Sequence, residues 1–481
     1  MSVKAQKKSR RPAVTQEAPE PRIALPDPNA LSVHQAWVVL AIGFAFGVAV
    51  LYEWGQINGF PALTLWGWPW QDLGSLQIGL ALLAPFLLIA AVLWVAHRGE
   101  PRIPLWILLA TLAAAQLAIE FFSVLADPRG LERISAIVSS ANATGYFTDA
   151  QRIQHIRDWM AHFLPANLTG HAQTHPAGPI LFYYVFVKLF GQDGAFWGGC
   201  AVGLAASLGP LVMYGFAGLW TADRNVRLVA AAFYALLPGM TVFFPEFDQI
   251  YSIFSMLLIG ALVKALNLSR GWRVYAFAAG AIAFVATFFA YNLLMIGAFL
   301  LYYALWWWWQ AGRSRAASLR VLEAPAIAAA VSGLLYLLVW ATTGYNALEA
   351  FRHSLHAQAG VNQHMGRHYG IAIFTDVYDF FLAAGIIAAP ILWFHLRRQL
   401  KGREAGAAAL TWIGVATVLT VDLSGLLRGE TARVWLFLQP LLVVPVAIEL
   451  ARLRWNWRLA MFTMQWWLLV AIKAKMSFVE P

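Results

Sequence analysis

Long apolar runs separated by short polar segments make up most of this 481-residue chain. A helix of about 20 apolar residues crosses a hydrocarbon core of roughly 30 Å, and about 13 runs come near that length. The pattern therefore predicts an all-α, multi-pass membrane protein. The predicted spans are residues 36–54, 77–97, 104–126, 195–220, 228–245, 249–268, 274–290, 291–309, 321–342, 371–395, 406–424, 433–452 and 458–473.

The large segment of residues 127–194, after the third predicted span, interrupts this pattern. A polar segment of that length beside a membrane must satisfy its own backbone amides, so it usually folds. The apolar run from Ile180 to Leu189 is short for a crossing and predicts a helix in the interface. We expect residues 127–194 to form a folded platform that carries the chemistry.

Composition supports a membrane protein, because 60% of the residues are hydrophobic and only 12% are charged. Residues 36–481 are predicted to form one integral membrane domain. Residues 1–35, which are basic and proline-rich, predict a disordered cytoplasmic tail. The single Cys200 excludes an internal disulfide within the chain.

The net charge of +10 indicates topology rather than nucleic acid binding. Lys and Arg fall in short clusters between apolar runs, as retention on the cytoplasmic side requires. With clusters such as Arg397, Arg398 and Lys401 inside, residues 127–194 and the C-terminus are predicted to lie outside.

Three carboxylates in or near the large segment are candidate catalytic residues. Glu120 is predicted at the outer edge of a span, where an ionisable group is costly unless it is paired or faces water, so function is the default hypothesis. Asp127 and Asp149 lie within the segment itself. A structural, salt-bridged carboxylate is the alternative for each of them.

His171 and His175 are four residues apart, which on a helix would place both imidazoles on one face. Pro176 follows at once and indicates a turn at a helix entry. Contact with a phosphate or sugar, a metal pair, and plain structural hydrogen bonding therefore all stay open.

A second acidic pair, Glu246 and Asp248, is predicted in a short outer turn, where it would point towards whatever the large segment covers. A solvated turn is the alternative for this pair.

Two further polar segments carry cations. Arg352 and His356 suit an anionic group at the membrane surface, either a substrate phosphate or a lipid headgroup. Arg428 and Arg433 flank Glu430 and are predicted on the outer side against the charge rule, as expected of a phosphate clamp. An Arg–Glu–Arg salt bridge is the alternative.

This combination resembles the GT-C superfamily of membrane glycosyltransferases, which includes protein O-mannosyltransferases and aminoarabinose transferases. The resemblance covers roughly residues 104–268 and the segment from Arg428 to Trp435, and its motifs are His175-Pro176 and the acidic pair. It implies a GT-C-like fold and transfer of a sugar, with inversion, from a polyprenyl-phosphate donor.

The resemblance also implies an acceptor that is a glycan, lipid or protein, at the outer face of a bacterial cell membrane. The resemblance implies a loop carboxylate as the base, and this carboxylate would be Glu120, just before the large segment, or Asp127 within it. We hypothesise that one of these two is the base, with Asp149 as the reserve candidate. No cofactor is required by these residues, although a divalent cation is compatible with them. A transporter or flippase for a lipid-linked or anionic solute is the alternative from a different class.

Overall fold

A computed structural model describes residues 30–52, 70–100, 102–141, 143–401 and 407–477. The predicted tail lies outside the described residues up to residue 29. Within the described ranges the protein is all-α, and only an isolated bridge between Trp70 and Met476 departs from helices and turns. The α-helices are α1 Val33–Leu51, α2 Ser75–Arg98, α3 Leu105–Leu125, α4 Glu132–Ser139, α5 Tyr146–Gln151, α6 Ile156–Ala161, α7 Gly178–Phe190, α8 Gly194–Ala206, α9 Gly209–Ala217, α10 Arg224–Ala235, α11 Pro238–Val242, α12 Asp248–Asn267, α13 Trp272–Phe289, α14 Ile296–Gln310, α15 Arg315–Thr343, α16 Ala347–His364, α17 Tyr369–Ala384, α18 Ala388–Leu400, α19 Ala408–Ser424, α20 Thr431–Val434, α21 Gln439–Ala451 and α22 Trp455–Lys475.

Eight helical segments among the described residues are long and apolar enough to cross a membrane. They are Val33–Leu51, Ser75–Arg98, Leu105–Leu125, Gly178–Ala217, Asp248–Asn267, Trp272–Phe289, Tyr291–Gln310 and Arg315–Thr343. Helices α17 and α18 would add a ninth span, although they meet at a bend of 102°. A multi-pass membrane protein is thus supported, but the predicted count of 13 is not confirmed.

The predicted span of residues 228–245 illustrates the difference. Helix α10 ends at Ala235, and the short α11 begins at Pro238, which lacks the backbone N–H that a helix interior needs. Pro245 follows after a cis peptide bond. The apolar run is therefore broken into two short helices, and both are buried inside the protein.

Small residues allow the helices to approach closely, as is usual where lipid rather than water surrounds them. At Gly280 of α13, an added Cβ would lie 2.4 Å from the backbone oxygen of Ala328 in α15. Helix α15 packs chiefly on α13, and most of its side chains are exposed to the surroundings. It therefore lies at the periphery, whereas α10, α12 and α21 form the buried centre.

The large segment of residues 127–194 is folded, as its length predicts. It contains α4, α5, α6 and α7, with the 3-10 turns Pro165–Asn167 and Gly170–Thr174 between α6 and α7. Helix α7 continues through a short 3-10 turn into α8, so Ile180–Leu189 is joined to the following span rather than clearly separate from it.

Candidate functional site

Two arginines and two glutamates form a buried network, here called the arginine–carboxylate cluster: Glu246, Arg367, Glu430 and Arg433. Arg433 Nη1 donates to Glu246 Oε2 at 2.7 Å, and Arg433 Nη2 donates to Glu430 Oε2 at 2.6 Å. The other oxygen of Glu430 accepts from Arg367. The four side chains are between 2% and 17% exposed. Three distant parts of the chain therefore meet at one charged centre.

A tight turn before α20 directs Glu430 and Arg433 into the cluster. Gly429 and Glu430 have φ values of 71° and 55°, in the left-handed region that favours glycine. Gly429 N donates to Asp376 Oδ1 at 2.9 Å, and Thr431 Oγ1 donates to the Asp376 backbone oxygen at 2.7 Å. A Cβ at Gly429 would lie 2.6 Å from Arg367 Nε, so glycine also permits the close approach of that arginine.

Arg428 is bound differently from Arg433. Its Nε donates to the backbone oxygen of Gly425 at 2.7 Å and its Nη1 to that of Arg367 at 3.1 Å. The Arg–Glu–Arg bridge predicted as an alternative does exist, but Arg367 occupies the position expected for Arg428. Arg428 lies beside the cluster and is linked to it through backbone atoms.

Glu246 is an unusual carboxylate because it is 2% exposed and adjacent to Asp248. Burial raises the pKa of Glu246 to about 7, with Arg433 opposing the rise and Asp248 adding to it. Its Oε1 is buried without a hydrogen-bond partner among the described residues. Burial therefore favours the neutral form of Glu246 more than that of an exposed carboxylate, as suits a group that exchanges protons.

Two histidines and a tyrosine lie beside these charges. The ring centroids of His171 and His175 are 4.6 Å apart, and that of Tyr146 is 5.4 Å from His175. Burial lowers the pKa of His175 to about 4, and burial followed by the charge of Arg433 lowers the pKa of His171 well below its ordinary value. Both imidazoles are thus neutral at pH 7 and offer hydrogen bonds rather than charge.

The histidines do not complete a metal centre in the part of the chain that the structure describes. No three His, Cys, Asp or Glu side chains there are grouped so that they could hold a metal ion. A divalent cation stays a prediction that these residues do not help to locate.

Two of the three predicted catalytic carboxylates are held in ion pairs of their own. Asp127 accepts from Arg133 Nη1 at 2.6 Å and from the backbone N–H of Arg129 at 3.0 Å. Asp149 accepts from both the backbone and the hydroxyl of Thr169, at 3.0 and 2.8 Å. Asp149 therefore fastens α5 to the turn that carries His171, which is a structural task.

Glu120 lies deeper, and its side chain is fully buried. Its Oε1 accepts from Gln116 at 3.2 Å and from Gln249 at 3.4 Å. Gln249 follows Asp248 directly, so Glu120 contacts the base of the acidic turn. In the described chain it makes no ion pair with the cluster.

Arg352 and His356 are exposed on α16, where His356 Nδ1 lies 2.8 Å from the Arg352 backbone oxygen. Helix α16 packs on the two 3-10 turns of residues 165–174. Neither side chain bonds to the cluster within the described ranges, so their proposed binding of an anion stays a prediction. Of the predicted residues, the structure brings together Glu246, Asp248, Glu430, Arg433, His171 and His175.

Arg367, Tyr146 and Gln249 complete the site and were not among the predicted site residues. Arg367 lies in the cationic segment 343–370, but its partner Glu430 is 63 residues away in sequence. Neither hydrophobic periodicity nor a local motif predicts a contact between residues so far apart. Tyr146 had a weak signal, since it lies in the polar stretch from Gly145 to Asp149.

Comparison of the chain with models of protein families gives no match, and comparison with curated proteins gives none either.

Proposed function

We propose that the protein is a membrane glycosyltransferase that moves a sugar from a polyprenyl-phosphate donor to an acceptor hydroxyl. The observation that carries the proposal is the ion pair between two buried side chains, Glu246 and Arg433, at 2.7 Å, and burial raises the pKa of Glu246 above its ordinary value. One group suits proton transfer from an acceptor, and the other suits a phosphate leaving group.

In the proposed reaction, Glu246 takes the proton of the acceptor hydroxyl while the acceptor oxygen attacks the anomeric carbon. The bond from that carbon to the phosphate oxygen breaks, and the polyprenyl phosphate leaves with the electron pair. The configuration at carbon is inverted because the nucleophile and the leaving group lie on opposite faces.

Proton transfer and phosphate binding are linked in this scheme. A neutral Glu246 attracts Arg433 less strongly than a charged one, so Arg433 Nη1 becomes available to the departing phosphate. Arg367, which pairs with Glu430, adds a second guanidinium at the same place. Asp248 interacts with Glu246, so the two carboxyls titrate as a pair.

The neutral His171 and His175 and the phenol of Tyr146 are suited to sugar hydroxyls, because each side chain offers a hydrogen bond beside an apolar ring. Arg428 lies beside Arg367, to whose backbone oxygen it donates at 3.1 Å, and its guanidinium carbon is 5.8 Å from the centroid of the Tyr369 ring. We assign Arg428 to the outer part of the phosphate site.

The proposed setting is a bacterial cell membrane, with residues 127–194 and the cluster on the outer face. This orientation follows from the arginine and lysine clusters of the other face. A lipid-linked donor would enter from the bilayer, and a glycan, lipid or protein acceptor from outside.

The experiment uses full-length protein in lipid nanodiscs and a panel of polyprenyl-phosphate hexoses and pentoses. Release of polyprenyl phosphate is measured for the wild type, Glu246→Gln and Glu349→Gln. Glu349 is exposed on α16, so its variant is the matched control. We expect Glu246→Gln to lower turnover by about 100- to 10,000-fold, while polyprenyl phosphate still binds.

Two results would contradict the proposal. One is an absence of release from every donor of the panel by the wild type. The other is a Glu246→Gln variant that is as active as Glu349→Gln.

A transporter is the second candidate, and one observation favours it. Helices α17 and α18 meet at a bend of 102°, and discontinuous helices line substrate sites in many transporters. Sealed vesicles that accumulate or flip polyprenyl phosphate, without releasing any sugar, would favour this function over transfer.

A further inference from the structure

Glu120 is surrounded by amide side chains and lies next to the turn of residues 244–249, which carries Glu246 and Asp248. It lies near the end of α3 and is 0% exposed. Its Oε1 accepts from the amides of Gln116 and Gln249, at 3.2 and 3.4 Å. Gln116 also donates to the backbone oxygen of Ala206 in α8 at 3.1 Å. Three helices, α3, α8 and α12, therefore meet at this carboxyl group.

No cation neutralises Glu120 within the described residues, because all of its hydrogen bonds there come from uncharged amides. An isolated carboxylate in such surroundings is very costly, whereas a neutral carboxylic acid is not. The surroundings of Glu120 thus favour the protonated form.

The local hydrogen bonding points in the same direction. Glu120 Oε2, Gln116 Oε1 and Gln249 Oε1 are all buried without a hydrogen-bond partner among the described residues. These are three acceptors that lack a donor. A protonated Glu120 has a hydroxyl that can donate a hydrogen bond to one of the two glutamine oxygens. A charged Glu120 has no donor, so all three oxygens would stay without a hydrogen bond.

On the side of α8, close packing leaves no room for an acceptor substrate to reach Glu120. A Cβ added at Gly203 would lie 3.1 Å from Glu120 Oε2 and 2.5 Å from a ring carbon of Phe244. The rings of Phe121 and Phe244 are 5.3 Å apart. Phe244 in turn precedes Pro245 and Glu246. The turn of residues 244–249 is therefore seated on the pocket that Glu120 fills.

We infer that Glu120 is a neutral carboxylic acid that positions Gln249, and through it Glu246 and Asp248, rather than the base that removes the acceptor proton. The positioning role in catalysis rests on the proposed function. The neutral state and the structural support of residues 244–249 do not, since they follow from burial and contacts alone.

The protonation state is tested by infrared difference spectroscopy of the full-length protein in nanodiscs. At about pH 8, above the pKa of about 7 of Glu246, the wild type should show a carbonyl band of a buried carboxylic acid. Glu120→Gln should lose that band, and Glu349→Gln should keep it. Asp379 is a second buried carboxyl group with an unpartnered oxygen among the described residues, so the band of Glu120 is read from the spectrum of the wild type minus that of Glu120→Gln. A difference spectrum without a carboxylic-acid band would overturn the inference.

The structural support is tested by hydrogen exchange at the backbone amides of Glu246, Gln249 and Ile250. Glu120→Ala removes one of the two acceptors of Gln249 and leaves the backbone oxygen of Met240 as the other. It should speed exchange by roughly tenfold, whereas Glu120→Gln keeps a neutral acceptor and should not. Unchanged exchange in Glu120→Ala would refute the positioning role. If Glu120→Ala does not fold, faster exchange in Glu120→Gln would refute it instead.

Activity then separates positioning from catalysis. Glu120→Gln should retain kcat within about threefold, with an unchanged pH profile, because the amide keeps the contacts. Glu120→Ala should lower kcat by roughly 100-fold, as misplaced catalytic groups do. If Glu120 were the base, Glu120→Gln would be nearly inactive and the inference would fail. If no donor is turned over even by the wild type, the proposed function fails, while the infrared and exchange results still decide the state and role of Glu120.

Discussion

Replacement of Arg433 by alanine should destabilise the folded protein by about 3 to 5 kcal/mol, the range for removing one partner of a buried ion pair. The contacts lead to a similar figure. Arg433 donates to Glu246 at 2.7 Å and to Glu430 at 2.6 Å, and its side chain is only 7% exposed. Two hydrogen bonds to charged groups, at about 1.5 to 3 kcal/mol each, together contribute about 3 to 6 kcal/mol.

The measurement is the free energy of unfolding in mixed micelles, which is obtained from a denaturant titration. Arg152→Ala is the matched control, because Arg152 also pairs with an aspartate, Asp149, at 3.1 Å, but is 61% exposed. An exposed pair contributes at most about 1 kcal/mol. An Arg433→Ala variant no less stable than Arg152→Ala would refute the importance assigned to the cluster.

The pH dependence gives this prediction a second test. Without Arg433, the buried Glu246 has an even stronger tendency to keep its proton in the folded state than in the unfolded state. The folded state then binds more protons, so its stability falls as pH rises above about 4.5, the ordinary value. It continues to fall beyond about 7, because the loss of Arg433 raises the pKa of Glu246 further. Glu246→Gln in the Arg433→Ala background should restore part of the loss above pH 7. A pH-independent loss without such restoration would contradict the reasoning.

Three further outcomes are expected. The value of kcat/KM should rise with pH through an apparent pKa near 7 that belongs to the pair of Glu246 and Asp248, and a pH profile unchanged in Glu246→Gln would contradict this. Arg433→Lys should weaken binding of polyprenyl phosphate roughly tenfold, because an ammonium lacks the planar fork, and equal affinity in a binding assay would count against a clamp. After Cys200→Ser, an impermeant thiol reagent should label a cysteine that replaces the exposed Gln151 in intact cells but not one that replaces the exposed Leu400, and the reverse result would invert the proposed topology.

The apolar runs were sufficient to predict an all-α membrane protein, because a span must satisfy its backbone internally. They were less reliable for the number of spans. Hydropathy alone predicts one continuous span for residues 228–245, whereas the structure has a break between Ala235, where α10 ends, and Pro238, where α11 begins. Such a broken run can be buried between other helices. Its composition is then the same as that of a run that faces lipid, so composition alone cannot distinguish the two.

The predicted site shows a similar division between local and distant information. The separate polar segments with Glu246, Glu430 and Arg433 do converge in the structure. One partner of Asp149, Arg152, lies only three residues away and has a local signal in the sequence, whereas the other, Thr169, lies 20 residues away and has none. The contact between Arg367 and Glu430 has none, because it depends on how two distant helices pack.

The most direct test of the central claim is an electron cryo-microscopy map of the protein in nanodiscs with excess polyprenyl phosphate. The account predicts phosphate density within hydrogen-bond distance of Arg433 or Arg367, with Arg433 turned away from Glu246. Headgroup density elsewhere, with Arg433 still bonded to Glu246 and Glu430, would contradict it.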